Sequence, residues 1–181
     1  SGAGVGYPDF LCLTYGTGVG GCIIINGQVY SGASFSAGSF GGIVIHPEVK
    51  NGTDTLEGCY ERCASTTALV KRAKAVDETL DNGRKIFDAM ERPEIKAVID
   101  DWIGDICTGL VTLTSVFNPS RIILGGGVMA QSYVLAQIKS RVKAQLSPGL
   151  SHVEIVPAKL GNTAGLMGAV SLAEKLLEKE D

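Results

Sequence analysis

A glycine-rich turn between two short apolar segments is the feature that most constrains how this chain folds. Phe10–Thr14 is apolar except for its threonine, and Cys22–Ile25 is apolar and mostly β-branched. Asn26-Gly27, a strong signal for a tight hairpin turn, follows the second segment. The pattern predicts two paired strands, and the tip between them contains Gly16, Thr17, Gly18, Gly20 and Gly21.

This glycine tip is typical of two different structures, and the sequence alone leaves both open. Glycines expose successive backbone N–H groups without a Cβ in the way, which makes a concave site for an anion such as phosphate. Thr17 would add a hydroxyl donor. The same glycines also suit a plain hairpin turn that needs positive φ angles. The spacing matches neither the Gly-x-x-x-x-Gly-Lys-Ser/Thr phosphate loop nor the dinucleotide-binding fingerprint, since no helix follows the turn directly.

A second glycine cluster strengthens the interpretation as a nucleotide site. A short apolar strand, Ile122–Leu124, opens into Gly125, Gly126 and Gly127, and a helical pattern follows them. Ligands of α/β proteins bind at strand ends of this kind. Two glycine-lined strand ends suggest two parts of one nucleotide, with the phosphates at one end and the base and ribose at the other.

Composition and charge argue against several other classes of function. The chain has 181 residues, enough for one domain with a core, and a net charge of −3 without a basic cluster, which gives no support for nucleic-acid binding. No apolar run reaches the roughly 18 residues that span a bilayer, so no membrane partner is expected. Among five unpaired cysteines, Cys12 and Cys22 are expected to face the core, and the default location is a reducing cytoplasm.

The order of predicted elements indicates an α/β fold that begins with antiparallel strands. Strands are predicted at residues 10–15, 21–26, 28–31, 43–45, 121–124 and 153–157. Helices are predicted from residue 61 to a break at Asn82-Gly83, and then at 84–90, 93–117, 132–146 and 161–179. Antiparallel strands followed by helix–strand–helix–strand–helix differ from the alternation of a dinucleotide-binding domain. The order is that of the ribonuclease-H-like half-domain shared by actin and hexokinases.

Four segments, in order along the chain, resemble the ROK family of repressors, open reading frames and sugar kinases. Leu13–Gly38 resembles the family signature, and Glu57–Leu69 resembles its Gly-Cys-Leu-Glu segment with the helix after it. Asn118–Val128 resembles the adenosine segment, and Gly161–Val170 resembles the C-terminal helix. The resemblance implies that residues 1–181 are the C-terminal, nucleotide-binding half of a two-domain sugar kinase. It leaves open that the terminal helix, 161–181, packs on the other half.

The resemblance also implies an activity and the residues that carry it. The intact protein would transfer the γ-phosphoryl group of ATP to a hydroxyl of a hexose or hexose derivative, with Mg²⁺ bridging the phosphates. The phosphates would bind the first glycine cluster, adenosine would bind Gly125–Gly127, and the sugar would contact Glu61, Ser39 and Gly38. Homo-oligomers, dimers among them, are common in the family.

The family's catalytic base is not among the residues of this chain. Family kinases carry an Asp-x-Gly-x-Thr phosphate loop and an Asn-Asp-x-Asn segment whose Asp is the base, and neither motif occurs here. The loop that begins at Ser1 resembles a cut through a longer protein. The chain by itself is therefore expected to be inactive, because phosphoryl transfer needs a group that orients the attacking hydroxyl.

The sugar loop departs from the family pattern. Where the family has Glu-x-Gly-His after Ala-Gly, this chain has Ser39-Phe-Gly-Gly42. Ser39 therefore either contacts the sugar or bonds to its own loop backbone. Glu61 stands at a sugar-binding position of the family, although a carboxylate is also favoured there by a helix N-terminus. Loss of the Glu and the His would relax the contacts in this loop, and a substituted sugar such as a glycoside is one consequence.

The family's zinc-binding segment is also altered. Of its pattern Cys-x-Cys-Gly-x-x-Gly-Cys only Cys59 remains, because Gly52 and Asp54 stand at the first two cysteine positions. A set made from Cys59, Cys63, His46 and Asp54 has poor spacing for the four ligands that zinc sites use. No zinc is therefore expected.

Two other classes of protein stay open beside the kinase. Sugar-responsive repressors of the family share this C-terminal region, carry a helix-turn-helix upstream and generally keep the zinc cysteines. A catalytically inactive sugar-binding regulator is the third class, because the sugar loop is altered. The intact phosphate glycines favour the kinase.

Overall fold

The fold is built on one mixed sheet of five strands with the order β3-β2-β1-β4-β5. A computed structural model describes residues 2–49, 54–161 and 170. The first three strands are antiparallel neighbours, whereas β4 runs parallel to β1 and β5 runs parallel to β4. The strands are β1 (Phe10–Tyr15), β2 (Val19–Ile25), β3 (Gln28–Tyr30), β4 (Arg121–Gly125) and β5 (Glu154–Pro157).

Five α-helices complete the described part of the chain. They are α1 (Tyr60–Ala64), α2 (Thr66–Val76), α3 (Gly83–Asp88), α4 (Pro93–Phe117) and α5 (Ser132–Gln145). Short 3₁₀ turns lie at Phe40–Gly42, Pro47–Val49, Gly127–Ala130 and Pro148–Leu150. Among the residues described, no helix is both long enough and apolar enough to cross a membrane.

The core lies between one face of the sheet and the long helix α4. Alternate residues of β1 point into it, because successive side chains of a strand face opposite sides of the sheet. Leu11, Leu13 and Tyr15 are buried in this way. They share one apolar cluster with the inward residues of α4, which are Ile95, Ile99, Trp102, Ile103, Ile106, Leu110 and Leu113.

The expected burial of two cysteines in that core is wrong. Cys12 and Cys22 are direct cross-strand partners, but they lie on the opposite face of the sheet and are only half buried. The period of two along β1 decides this, because Leu11 and Leu13 occupy the core-facing positions on either side of Cys12.

The strand predicted at residues 43–45 does not form. Only one isolated bridge, between Val44 and Cys59, is present there. The segment pairs with the loop before α1 instead of the sheet: the N–H groups of Ile45 and His46 both donate to the Gly58 carbonyl, at 2.9 and 3.0 Å. Loop-to-loop pairing of this kind leaves no period-two signal in the sequence.

The helix expected from residue 61 onward is two helices. Ser65 interrupts it with an extended backbone (ψ 161°), and its side chain accepts a hydrogen bond from the N–H of Ala68, which makes it the N-cap of α2. Asn82 lies at the predicted helix break. Its side chain accepts a hydrogen bond from the N–H of Lys85, which makes it the N-cap of α3. Both polar residues therefore act as helix starts.

The boundaries of α4 follow the sequence closely. Pro93 occupies its first turn, where the missing N–H costs nothing, and Asn118 ends it in the left-handed region with a φ of 44°. The helix predicted at 161–179 lies outside the described residues except for Gly161 and Val170.

Candidate functional site

The tip between β1 and β2 is a narrow loop, and two of its amides are unused. Gly16 donates its N–H to the Gly18 carbonyl at 3.0 Å. Within the part of the chain that the structure describes, the N–H groups of Thr17 and Gly18 have no acceptor. Thr17 is exposed, so its hydroxyl and these two amides can all reach a ligand. The tip therefore offers donors suited to an anion.

The remaining two glycines of the first cluster do not lie at the tip. Gly20 and Gly21 are residues of β2, in register with Thr14 and Leu13. A Cβ on Gly21 would come within 2.5 Å of the Cys12 carbonyl oxygen and of the Phe40 ring. Close packing therefore explains Gly21.

The first turn of α2 holds the tip in place. Thr66 donates its backbone N–H to the Gly16 carbonyl at 2.9 Å and its hydroxyl to the Tyr15 carbonyl at 3.2 Å. Thr67 donates its hydroxyl to the Thr17 carbonyl at 3.0 Å. These bonds join α2 to the carbonyls of the loop and leave its two free amides unused.

The Glu61 carboxylate lies against the same tip. Its Oε2 accepts a hydrogen bond from the Val19 N–H at 3.2 Å. A Cβ on Gly18 would overlap this carboxylate, and a Cβ on Gly41 would lie 3.2 Å from Oε2. Gly18 and Gly41 are thus glycines that make room for Glu61, a role that no motif in the sequence indicates.

Helix α1, which carries Glu61, is anchored to the core through two tyrosines. The Tyr60 hydroxyl donates to the Ile106 carbonyl at 2.8 Å, so the Tyr15 hydroxyl donates to Tyr60 across 2.6 Å. Burial raises the pKa of both phenols, which keeps them neutral donors. This pair connects the end of β1 to α1 and sets the position of the Glu61 backbone.

The second glycine cluster meets the first at the ends of two neighbouring parallel strands. Gly126 has a φ of +110°, and a Cβ there would overlap the Tyr15 carbonyl oxygen, so only glycine fits. Gly126 and Gly127 line a cavity of about 560 Å³ together with Gly16, Thr17, Gly18 and Glu61. Gly125 differs, because it belongs to β4 and lines a separate cavity with Cys12, Thr14 and Ala158.

A larger cavity of about 690 Å³ adjoins the tip and shares Tyr15, Gly16, Thr17 and Gly127 with the first. Residues from α2, α3 and the segment before α5 form the rest of its wall. Its apolar part consists of Val70, Phe87 and Val128, and its polar part includes Thr66, Asp81, Asn82, Arg84, Asp88 and Gln131. The part of this wall that runs from Asp81 to Asp88 carries no motif and could not be predicted from the sequence. Its volume and mixed lining suit a drug-sized ligand with an apolar ring and polar edges.

The sugar-loop residues have structural partners. Ser39 is exposed, and its hydroxyl donates to the Ser36 carbonyl at 2.8 Å, which is the loop-backbone alternative of the sequence analysis. Gly38 is buried with a φ of +88° against the backbone of Gly21 and Cys22. A Cβ on Gly42 would meet nothing within 4 Å, so this position is open.

The residues considered for zinc separate into two groups. Asp54 pairs with Arg62 at 3.2 Å, and the family's cysteine segment, reduced to Cys59, does not provide a ligand set. His46 and Cys63 meet a third residue, Asp105 of α4, which no local spacing could have indicated. Hydrogen bonds with Asp105 and, to a smaller extent, with Glu48 raise the pKa of His46.

Almost the whole of this chain is similar in sequence to known sugar kinases. A beta-glucoside kinase of Listeria monocytogenes is 36% identical over 177 residues, which cover 93% of this chain and 58% of that protein. A glucokinase of Streptomyces coelicolor is 33% identical over 199 residues, which cover 96% of this chain and 62% of that protein. The chain therefore spans about 60% of the length of these relatives.

Solved structures agree with the sequence comparison. The ROK family glucokinase from Streptomyces griseus, in complex with glucose and AMPPNP, matches with a TM-score of 0.82 and 33% identity over 96% of this chain and 62% of that chain. The expected ribonuclease-H-like, actin/hexokinase-type architecture is thereby confirmed. The sequence profile of the ROK family matches residues 1–176, and the chain belongs to this family.

Proposed function

We propose that this chain is the C-terminal, nucleotide-binding part of an ATP-dependent kinase that phosphorylates a hydroxyl of a hexose or hexose derivative. The observation that carries the proposal is the contact between the glycine tip and Glu61. Unused amides suited to phosphate lie on the glycine tip, and the Glu61 carboxylate of α1, suited to sugar hydroxyls, lies directly against that tip. Such proximity is what transfer between two bound substrates requires.

The nucleotide would extend from the tip into the larger cavity. Its β- and γ-phosphates would accept from the amides of Thr17 and Gly18 and from the Thr17 hydroxyl. The adenosine would occupy the 690 Å³ cavity, with the base against Val70 and Phe87. Gly126 and Gly127 line the junction between these two parts, which fits the close approach of a ligand to backbone.

Glu61 would accept hydrogen bonds from sugar hydroxyls. In the described part of the chain its Oε2 has one partner, the Val19 amide, and the side chain is only partly buried, so lone pairs remain for a ligand. A carboxylate beside the phosphate tip repels the γ-phosphate, and Mg²⁺ bridging the phosphates would offset part of that charge. Gly20, Gly21, Gly38, Ser39 and Gly125 would support the loops and strands around these subsites.

The proton of the attacking hydroxyl needs an acceptor, which we assign to the protein outside this chain. Positioning and charge stabilisation supply most of phosphoryl-transfer catalysis, and the base orients the nucleophile. The chain by itself is accordingly predicted to bind the nucleotide but not to catalyse phosphoryl transfer to the sugar. A cytoplasmic location and a homodimer are further parts of the proposal, and both stay predictions.

The open sugar loop favours a substituted sugar over a free hexose. Position 42 has free space, and Ser39 uses its hydroxyl within the loop, so neither restricts the ligand as a Glu and a His would. A relative with 36% identity is named a beta-glucoside kinase, which is consistent with this choice.

The experiment is ATP-dependent phosphorylation of free hexoses, amino sugars and β-glucosides by the intact protein that contains this chain. Wild type, Glu61→Gln and the exposed control Glu78→Gln are compared, and we expect Glu61→Gln to raise the sugar KM at least tenfold while the control is unchanged. Turnover of free hexose alone would contradict the glycoside preference. Sugar binding without any turnover would replace the kinase by the repressor or inactive-regulator alternative.

A further inference from the structure

We propose that His46, Cys63 and Asp105 form a binding site for one divalent transition-metal ion, for which Zn²⁺ is the best match. The three residues come from three separate elements: the loop after the Phe40–Gly42 turn, helix α1 and helix α4. The site is independent of the nucleotide and sugar cavities. It also differs from the family's cysteine segment, to which none of these three residues belongs.

The three ligand atoms are close to the arrangement that zinc requires. His46 Nε2, Cys63 Sγ and an Asp105 oxygen all lie within 4.8 Å of one another, and Nε2 is 2.7 Å from Oδ1. Zinc bonds of about 2.0–2.3 Å in a tetrahedron separate neighbouring ligands by roughly 3.3–3.6 Å. His46 and Asp105 would therefore move apart by about 0.6 Å. His46 has space for this shift, because its side chain is 37% exposed.

Two flanking charged residues hold the ligands in the orientation that a metal needs. Glu48 lies 2.8 Å from His46 Nδ1, which leaves Nε2 to face Asp105 and Cys63. A carboxylate on the second ring nitrogen of a ligating histidine is the usual outer partner in metal sites. Arg72 donates to Asp105 Oδ2 at 2.5 Å, which leaves Oδ1, the oxygen next to His46 Nε2, for a metal.

The charges around the cluster suit a divalent ion. With the metal bound, a neutral imidazole and a thiolate would be the ligands, and any proton on either group would leave to solvent. The carboxylates of Glu48 and Asp105 and the Cys63 thiolate would then balance the dication and Arg72, so Arg72 beside the cluster is no obstacle. Three protein ligands and a water on the exposed side complete a tetrahedral site.

Metal at this position would fix the short helix that carries Glu61. Cys63 follows Glu61 by two residues in α1, which has only five residues. Isolated helices of this length are unstable, so their position depends on tertiary contacts. The ion would join α1 to α4 and to the loop of His46, and it would thereby hold Glu61 at the glycine tip.

The test is metal binding by the intact protein after removal of bound metal with a chelator. We expect one equivalent of Zn²⁺, measured by competition with a chromophoric chelator, and a thiolate-to-metal charge-transfer band with Co²⁺. Cys63→Ser should abolish that band, and Cys12→Ser, on the other face of the sheet, should leave it unchanged. Binding that is absent or below one equivalent, or a band that survives in Cys63→Ser, would overturn the proposal.

A second variant keeps the proposal testable if Cys63→Ser does not fold. Glu48→Gln changes an exposed residue, so the fold is retained, and it removes the charge that orients His46. We expect a loss of zinc affinity of about 10–100-fold, as for other outer partners of metal ligands. Unchanged affinity in Glu48→Gln would mean that the ion binds elsewhere. These readouts need no kinase activity, so they are separate from the test of the proposed function.

Discussion

Replacement of Gly18 by alanine isolates the contact between the glycine tip and Glu61. A Cβ at Gly18 would overlap the carboxylate and lie 2.8 Å from its Cδ, whereas a Cβ at Gly16 would meet nothing within 4 Å. Neither glycine has a positive φ, so backbone strain does not contribute. Gly16→Ala is therefore a matched control on the same loop.

The expected cost of Gly18→Ala follows from the displaced carboxylate. The Glu61 carboxylate must withdraw by roughly 1.5 Å to reach ordinary contact distances of roughly 3.5–4.0 Å. It then loses its 3.2 Å hydrogen bond from the Val19 amide. Hydrogen bonds to charged groups contribute about 1.5–3 kcal/mol, and water can replace part of this one. We expect the free energy of unfolding to fall by about 1–2 kcal/mol. Gly16→Ala should change it by less than about 0.5 kcal/mol.

A double-mutant cycle decides whether this reasoning holds. Urea unfolding is measured for Gly18→Ala, Glu61→Ala and the double variant. Because Glu61→Ala removes the side chain that the new Cβ would displace, the double variant should be no less stable than Glu61→Ala alone, with a coupling of about 1–2 kcal/mol. An equal cost of Gly18→Ala with and without the Glu61 side chain would refute the contact.

Two other changes test the glycine junction and an ion pair. In Gly126→Ala the new Cβ overlaps the Tyr15 carbonyl at a φ of +110°, so the free energy of unfolding in urea should fall by about 3 kcal/mol. Gly127→Ala places its Cβ in open space and should lower it by less than about 0.5 kcal/mol. Equal losses in the two variants would contradict this. Hydrogen bonds from Arg92, then Thr79, lower the pKa of Asp77 to about 2 from 3.8, so its stabilisation is present above pH 3.8 and lost as the pH falls through 2. The free energy of unfolding of Asp77→Asn should therefore fall less than that of wild type between pH 3.8 and pH 2. If the two curves of unfolding free energy against pH are parallel, the ion pair between Asp77 and Arg92 contributes nothing.

Features that depend on neighbouring residues could be predicted from the sequence. The apolar run of β1, its pairing with β2, and the ends of α4 at Pro93 and Asn118 all appear where the pattern indicated. The family was likewise identifiable, because its motifs are contiguous. Local conformational preference and short-range periodicity are properties of the chain itself, which is why these predictions held.

The candidate sites depended on contacts between distant parts of the chain. Glu61 reaches the tip only because α1 packs beside β2, and Asp105 meets His46 across 59 residues. Part of the wall of the 690 Å³ cavity comes from α3 and the turn before it, where the sequence carries no motif. The sequence by itself determined the five strands of the sheet, the long helix and the family, although it also predicted a strand at 43–45 that does not form. Packing of the elements decided which side chains meet, because burial of the apolar faces sets their relative positions.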